Sequence, residues 1–215
     1  MEAKEYFFKV SRTARVYTFG NLSEKTKVVW VVTHGYGQLA KYFVKHFSHL
    51  NPETNFVIAP EALSRSYLNN MTGRVGASWM TKDMRLEEID DYVNYIETVT
   101  NKLLYDIDIS NKKLVALGFS QGAATISRWA EKSKLNVNLL CFWAGEPGIE
   151  LFSSKKYNNF SILYVVGSKD PFLTFEKQQS IKLKSKQSGW LFQFLSFEGE
   201  HHLDKEIIQQ IEKMV

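Results

Sequence analysis

From Leu114 to Gly122 the chain reads LVALGFSQG. Leu114, Val115, Ala116 and Leu117 form a short apolar run, the pattern of a strand buried on both faces. Gly118-Phe119-Ser120-Gln121-Gly122 follows at once, and then Ala123, Ala124, Ile126, Trp129 and Ala130 recur at helical spacing. Strand, G-x-S-x-G, helix is the arrangement of a nucleophile elbow, in which a tight turn lifts the serine hydroxyl from the end of a sheet. Ser120 is therefore the candidate nucleophile. The Gln121 N–H, at the start of the helix, is placed to stabilise a developing oxyanion.

Outward from this stretch, apolar runs at Val28–Val32, Phe56–Ala59, Leu139–Ala144, Ile162–Val166 and Trp190–Phe197 read as further strands. Tyr6–Val10 and Arg15–Phe19 read as an edge hairpin. Helices are expected over Leu39–Leu50, with Tyr42, Phe43, Phe47 and Leu50 on one side, and over Phe172–Ser185 and Leu203–Met214. The strongest helix pattern is Lys82–Tyr105, with Leu86, Ile89, Val93, Ile96, Leu103 and Leu104 on one stripe. Its carboxylates Glu87, Glu88, Asp90 and Asp91 read as a solvated face, not a metal site. Strands alternating with helices predict a single α/β domain over residues 1–215, with a mostly parallel sheet covered on both faces. Glu61–Thr81 has no clean period and is expected to be an ordered binding loop. The span between Ala144 and Ile162 is short and polar, with Lys155, Lys156, Asn158 and Asn159, so no large cap domain is expected.

The net charge of +4 is scattered, which argues against nucleic-acid binding. No apolar stretch is long enough to span a bilayer, and the early charges in MEAKEYFFKV predict no secretory signal. The single cysteine, Cys141, lies in an apolar run and reads as a buried small hydrophobe. These features fit a cytoplasmic location.

A serine hydroxyl needs a base, and the base needs an acid to fix its tautomer. In parallel α/β sheets, sites form beyond the carboxyl ends of the strands. Asp170 follows one strand there, and His201 and His202 follow the last. Asp106 and Asp108 precede the elbow strand, and Asp204 follows the histidines, so Asp170 is the candidate acid. A second oxyanion donor is expected in His34-Gly35-Tyr36-Gly37, after the strand Val28–Val32, with the Tyr36 N–H as candidate and His34 as a support of the loop. Tyr67, Met71, Trp79, Phe119 and Phe172 are the candidate walls of an acyl site. The adjacent histidines are not separated by these considerations.

From Val28 to the C-terminus the chain resembles the phospholipase/carboxylesterase group of α/β-hydrolases, which includes acyl-protein thioesterases. His34–Gly37 matches the group's H-G-x-G, Gly118–Gly122 its G-F-S-Q-G, and Asp170-Pro171 its aspartate after the seventh strand. Gln38 stands where an acid is usual, and Gly199-Glu200-His201 stands for G-G-H. The resemblance implies an α/β-hydrolase fold and selects His201 as the base. It implies a cytoplasmic serine hydrolase of small-molecule carboxylic esters, thioesters or lysophospholipids, working without metal or organic cofactor. Two other readings stay open from sequence: a binding protein on the same fold with little chemistry, and a peptidase on the same scaffold.

Overall fold

The computed structural model describes residues 2–153 and 161–215. Lys155, Lys156, Asn158 and Asn159 lie outside the described residues. Nine strands are present among those described: β1 (Val16–Phe19), β2 (Val28–Thr33), β3 (Asn55–Pro60), β4 (Ser64–Tyr67), β5 (Val75–Ser78), β6 (Lys113–Phe119), β7 (Leu139–Trp143), β8 (Ser161–Gly167) and β9 (Phe192–Phe197). The helices are α1 (Ala40–Phe43), α2 (Arg85–Leu103), α3 (Gln121–Lys132), α4 (Phe175–Gln187) and α5 (Lys205–Lys213). Seven strands form one sheet in the order β1-β3-β2-β6-β7-β8-β9, parallel except for β1, which runs antiparallel to β3. All six residues of β2 are buried, as expected of a sheet covered on both faces. The elbow strand β6 lies between β2 and β7, with Thr33 opposite Gly118 and Phe119 opposite Trp143. The carboxyl ends of the central strands thus come together at one edge, where Ser120 leaves the sheet.

The core is rich in aromatic rings, and the buried indole N–H groups of Trp30, Trp129 and Trp143 each find an acceptor, as burial requires. Trp30 donates to Asn55 Oδ1 and Trp129 to Glu97 Oε2, both at 2.9 Å. Trp143 donates to the His202 carbonyl at 2.9 Å, which ties the loop after β9 to β7. Cys141 is buried, and burial pushes its thiol well up, so it is not a thiolate nucleophile. No helix among the described residues is long and apolar enough to cross a membrane.

Four expectations are corrected. Tyr6–Val10 is not a strand: Tyr6, Phe7, Phe8 and Val10 are exposed, and β1 pairs with β3 instead. Apolar β-formers without a pairing partner do not make a strand. Leu39–Leu50 is not one helix, because α1 tightens into a 3₁₀ turn over Val44–Phe47. The change of pitch leaves Phe43, Phe47 and Leu50 buried and turns Tyr42 outward. In α2, Ile89, Val93 and Ile96 are buried while Leu86 and Leu103 are exposed, being in the terminal turns. Within Glu61–Thr81, β4 and β5 form an antiparallel hairpin, so the irregular loop is shorter than its sequence suggests.

Candidate active site

Ser120 sits between β6 and α3 with φ 54° and ψ −118°. A non-glycine residue in the left-handed region is strained by about 1–3 kcal/mol and persists only where its surroundings hold it. Here the Ser120 N–H donates to the Trp143 carbonyl at 2.8 Å, and the Ser120 carbonyl accepts from the Ala123 N–H at 2.9 Å. The turn closes because Gly118 and Gly122 lack side chains: a Cβ on Gly118 would strike the Gly122 carbonyl, and one on Gly122 the Thr33 carbonyl.

Asp170 follows β8 and its side chain is wholly buried. Its Oδ1 accepts from the Phe172 and Leu173 N–H groups at 2.8 and 3.2 Å, while Oδ2 lies 2.8 Å from His201 Nδ1. His201 comes from the loop after β9, which is joined to the β8 loop by Ser168 N–H to Phe197 and Lys169 N–H to Gly199, both at 2.8 Å. The imidazole lies between two rings, Phe119 at 4.9 Å and Phe172 at 4.8 Å between centroids. Phe119 directly precedes Ser120, so the pair Asp170–His201 lies beside the elbow. With Nδ1 against a carboxylate, Nε2 is left for a second partner. His202 turns elsewhere, edge-on to Phe197 at 5.4 Å. Asp204 caps α5, accepting from the Glu206 and Ile207 N–H groups.

The loop Gly35–Gln38 reaches the elbow from β2. The point where a Gly35 Cβ would stand is 3.0 Å from Phe119 Cδ1 and 3.2 Å from both Ser120 Cβ and Gln38 Oε1. The Gln38 carboxamide accepts from the Gly35 N–H at 2.8 Å. Among the described residues, the Tyr36 and Gln121 N–H groups donate to no other protein group. His34 is buried beneath the loop. The Ala62 N–H donates to its Nε2 at 3.1 Å, so the proton is on Nδ1, which donates to the Gly35 carbonyl at 2.8 Å. Burial holds this imidazole below the ordinary histidine range and keeps it neutral.

The five candidate wall residues are spread out. Phe119 is buried beside His201, and Phe172 meets that ring in an edge-type contact while remaining exposed. Tyr67 and Met71 are exposed on the hairpin. Trp79 is 3% exposed, packs against His34 with tilted rings 5.0 Å apart and donates its indole N–H to the His34 carbonyl, so it supports the loop from within and does not face a cleft. A cleft of about 410 Å³ opens beside the Gly35–Gln38 loop, lined instead by Gln38, Leu39, Tyr42, Phe43, His46 and Arg74. Phe43 links it to the elbow, 6.3 Å from Phe119.

Two features have no signal in the sequence. The Gln121 carboxamide is bonded to Ser78, Trp79 and Met80. Arg128 is a buried cation on α3, bonded to Glu150 Oε2 and the Tyr92 hydroxyl, both at 3.0 Å. Burial pushes the Glu150 carboxyl up, but its own backbone N–H, Arg85 and Arg128 together hold it below the usual range. A helical stripe assigns an arginine to solvent, and only tertiary contacts reveal this one.

No curated protein matches the chain by sequence. Among solved structures, Zea mays acyl-protein thioesterase 2 has a TM-score of 0.69 at 19% identity, over 94% of this chain and 97% of that one. Arabidopsis thaliana SOBER1 gives 0.64 at 15% identity, over 87% and 97%. Bacillus cereus carboxylesterase gives 0.63 at 11% identity, over 94% and 92%. At these identities the likeness is one of fold. The dienelactone hydrolase family model matches residues 14–203. With most of the chain matched and a mostly parallel central sheet, the protein belongs to the dienelactone hydrolase family, as an α/β-hydrolase of ester bonds.

Proposed function

We propose that this chain is a serine hydrolase of carboxylic esters with short or medium acyl groups, thioesters and lysophospholipids included in the class to be ranked by assay. Ser120 Oγ attacks the acyl carbon and His201 Nε2 takes its proton. The carbonyl oxygen becomes an oxyanion, held by the N–H groups of Tyr36 and Gln121. Collapse expels the alcohol, which receives the proton from His201. Water then adds to the acyl-enzyme with His201 again as base, releasing the acid and restoring Ser120. Asp170 keeps the His201 proton on Nδ1 and stabilises the imidazolium that forms at each step.

The observation that carries this reading is the 2.8 Å contact between the buried Asp170 carboxylate and His201 Nδ1, on a ring packed against the residue before Ser120. The strained Ser120 backbone supports it, since such strain concentrates at functional positions. The cleft beside the Gly35–Gln38 loop is the proposed acyl site, with Phe119 and Phe172 bordering the reacting centre. The test is a panel of p-nitrophenyl esters, acyl thioesters and lysophospholipids with purified protein. Ester or thioester turnover that depends on Ser120 is expected; amide turnover exceeding it would favour a peptidase, and no turnover a binding protein.

A further inference from the structure

We propose that Ala77–Met80 is a common brace for both oxyanion donors, and that the Gln121 carboxamide is the positioning group that locks this brace to the elbow. The proposal rests on the assignment of the Tyr36 and Gln121 N–H groups to the oxyanion.

One end of the segment holds the β2 loop. The Ala77 carbonyl accepts from the Gly37 N–H at 2.9 Å, and the Ala77 N–H donates to the Gln38 carbonyl at 3.2 Å. These bonds fix the peptide units directly after Tyr36. The approach is close: a Cβ on Gly76 would stand 2.6 Å from the Gly37 carbonyl oxygen and 2.8 Å from its Cα. The other end holds the elbow. Gln121 Oε1 accepts from the Trp79 N–H at 3.1 Å, and Gln121 Nε2 donates to the Met80 carbonyl at 3.0 Å and to Ser78 Oγ at 3.1 Å. The carboxamide bonds to both a main-chain donor and a main-chain acceptor, as the peptide unit of a neighbouring strand would. Between these ends, the Trp79 indole donates to the His34 carbonyl at 2.8 Å, at the root of the same loop.

The physical need for a brace is plain. The two donors come from segments far apart in sequence, and each must lie about 2.7–3.1 Å from one oxygen that exists only during reaction. A four-residue segment, the end of β5 and the two residues after it, bonded to both sets that separation before substrate arrives. The donors act on the transition state, so a misplaced brace lowers kcat and leaves substrate affinity nearly alone.

The experiment measures kcat per active site, counted by fluorophosphonate titration of Ser120, so that a loss of folded protein is not read as a loss of catalysis. Gln121→Met keeps the length of the side chain and removes its hydrogen bonds. Its kcat per titrated site is expected to fall by at least ~10-fold with KM within about threefold of wild type. The affinity for a trifluoromethyl ketone, which forms a tetrahedral adduct on the serine, is expected to fall in the same proportion. Gly76→Ala, acting on the other donor, is expected to give the same split. Should Gln121→Met fail to fold, Ser78→Ala decides by the same measurement, with a loss of about fivefold expected. A purely structural role would lower the melting temperature and the number of titratable sites but leave kcat per site within twofold, and that result overturns the brace; so does a loss confined to KM. A wild-type protein that takes no fluorophosphonate on Ser120 overturns the serine assignment and the brace with it, whereas a labelled wild type with unaffected variants overturns the brace alone.

Discussion

The Asp170 carboxylate divides its two oxygens between its own loop and His201: Oδ1 is held by the Phe172 and Leu173 N–H groups, and Oδ2 lies 2.8 Å from His201 Nδ1. The acid is thus fixed by main chain before it fixes the imidazole. Asp170→Asn keeps the shape and the loop bonds but can present an N–H toward Nδ1, favouring the wrong tautomer. We expect kcat/KM for a p-nitrophenyl ester to fall by ~10²–10⁴ with little change in melting temperature. A loss under about tenfold would remove Asp170 from the proposed triad.

The adjacent histidines separate by where their rings lie. His201 is between Phe119 and Phe172, while His202 packs on Phe197. His201→Ala is expected to lose at least ~100-fold more activity than His202→Ala, since base and nucleophile act as a unit. The opposite order in steady-state kinetics would move the base to His202.

Acid stability provides a test of the loop that carries Tyr36, a proposed oxyanion donor. Unfolded, His34 titrates near ~6.5; folded, burial holds it lower. Below about pH 6.5 the unfolded chain takes up a proton that the folded chain refuses, so stability falls as pH drops toward the folded value and is flat above. His46 is also held low, chiefly by burial and then by His202 and His49, and acts with the same sign. Melting temperatures from pH 8 to 5 should therefore decline more steeply for wild type than for His34→Gln. Parallel curves would show that His34 is not buried neutral.

Acyl-chain preference tests the cleft beside Gln38 and Phe43. Each added methylene that finds apolar wall is worth about 0.8 kcal/mol, and the gain stops at the end of a space of about 410 Å³. We expect kcat/KM across p-nitrophenyl acetate to palmitate to peak at a short or medium chain. Phe43→Trp, which fills the cleft, should move that peak to shorter chains. A rise continuing to the longest chain, unmoved by the substitution, would place acyl binding elsewhere.

The elbow was legible because its signals are local: an apolar run, two glycines around Phe119-Ser120-Gln121, and a helical stripe up to Ala130. Asp170 and the His201-His202 pair were legible because parallel strands deliver residues at known ends. What failed was tertiary. Tyr6–Val10 has the composition of a strand and no neighbour to pair with. Trp79 has the composition of a pocket wall, but its indole N–H is drawn inward to the His34 carbonyl. The hairpin of β4 and β5 has four-residue strands and a long connection, far from the short turn by which hairpins are read. With the hairpin unread, the bonds of the Gln121 carboxamide to Ser78, Trp79 and Met80 had no visible partners in the sequence.

The most direct test of the central claim is intact-protein mass spectrometry after brief exposure to a fluorophosphonate, with the adduct located by peptide mapping. An activated serine is needed for rapid labelling. Wild type should gain one adduct on Ser120 within minutes, Ser120→Ala none, and His201→Ala should label at least ~100-fold more slowly. No adduct on wild type, or an adduct on another residue that persists in Ser120→Ala, would contradict the assignment of Ser120, His201 and Asp170 as the catalytic unit.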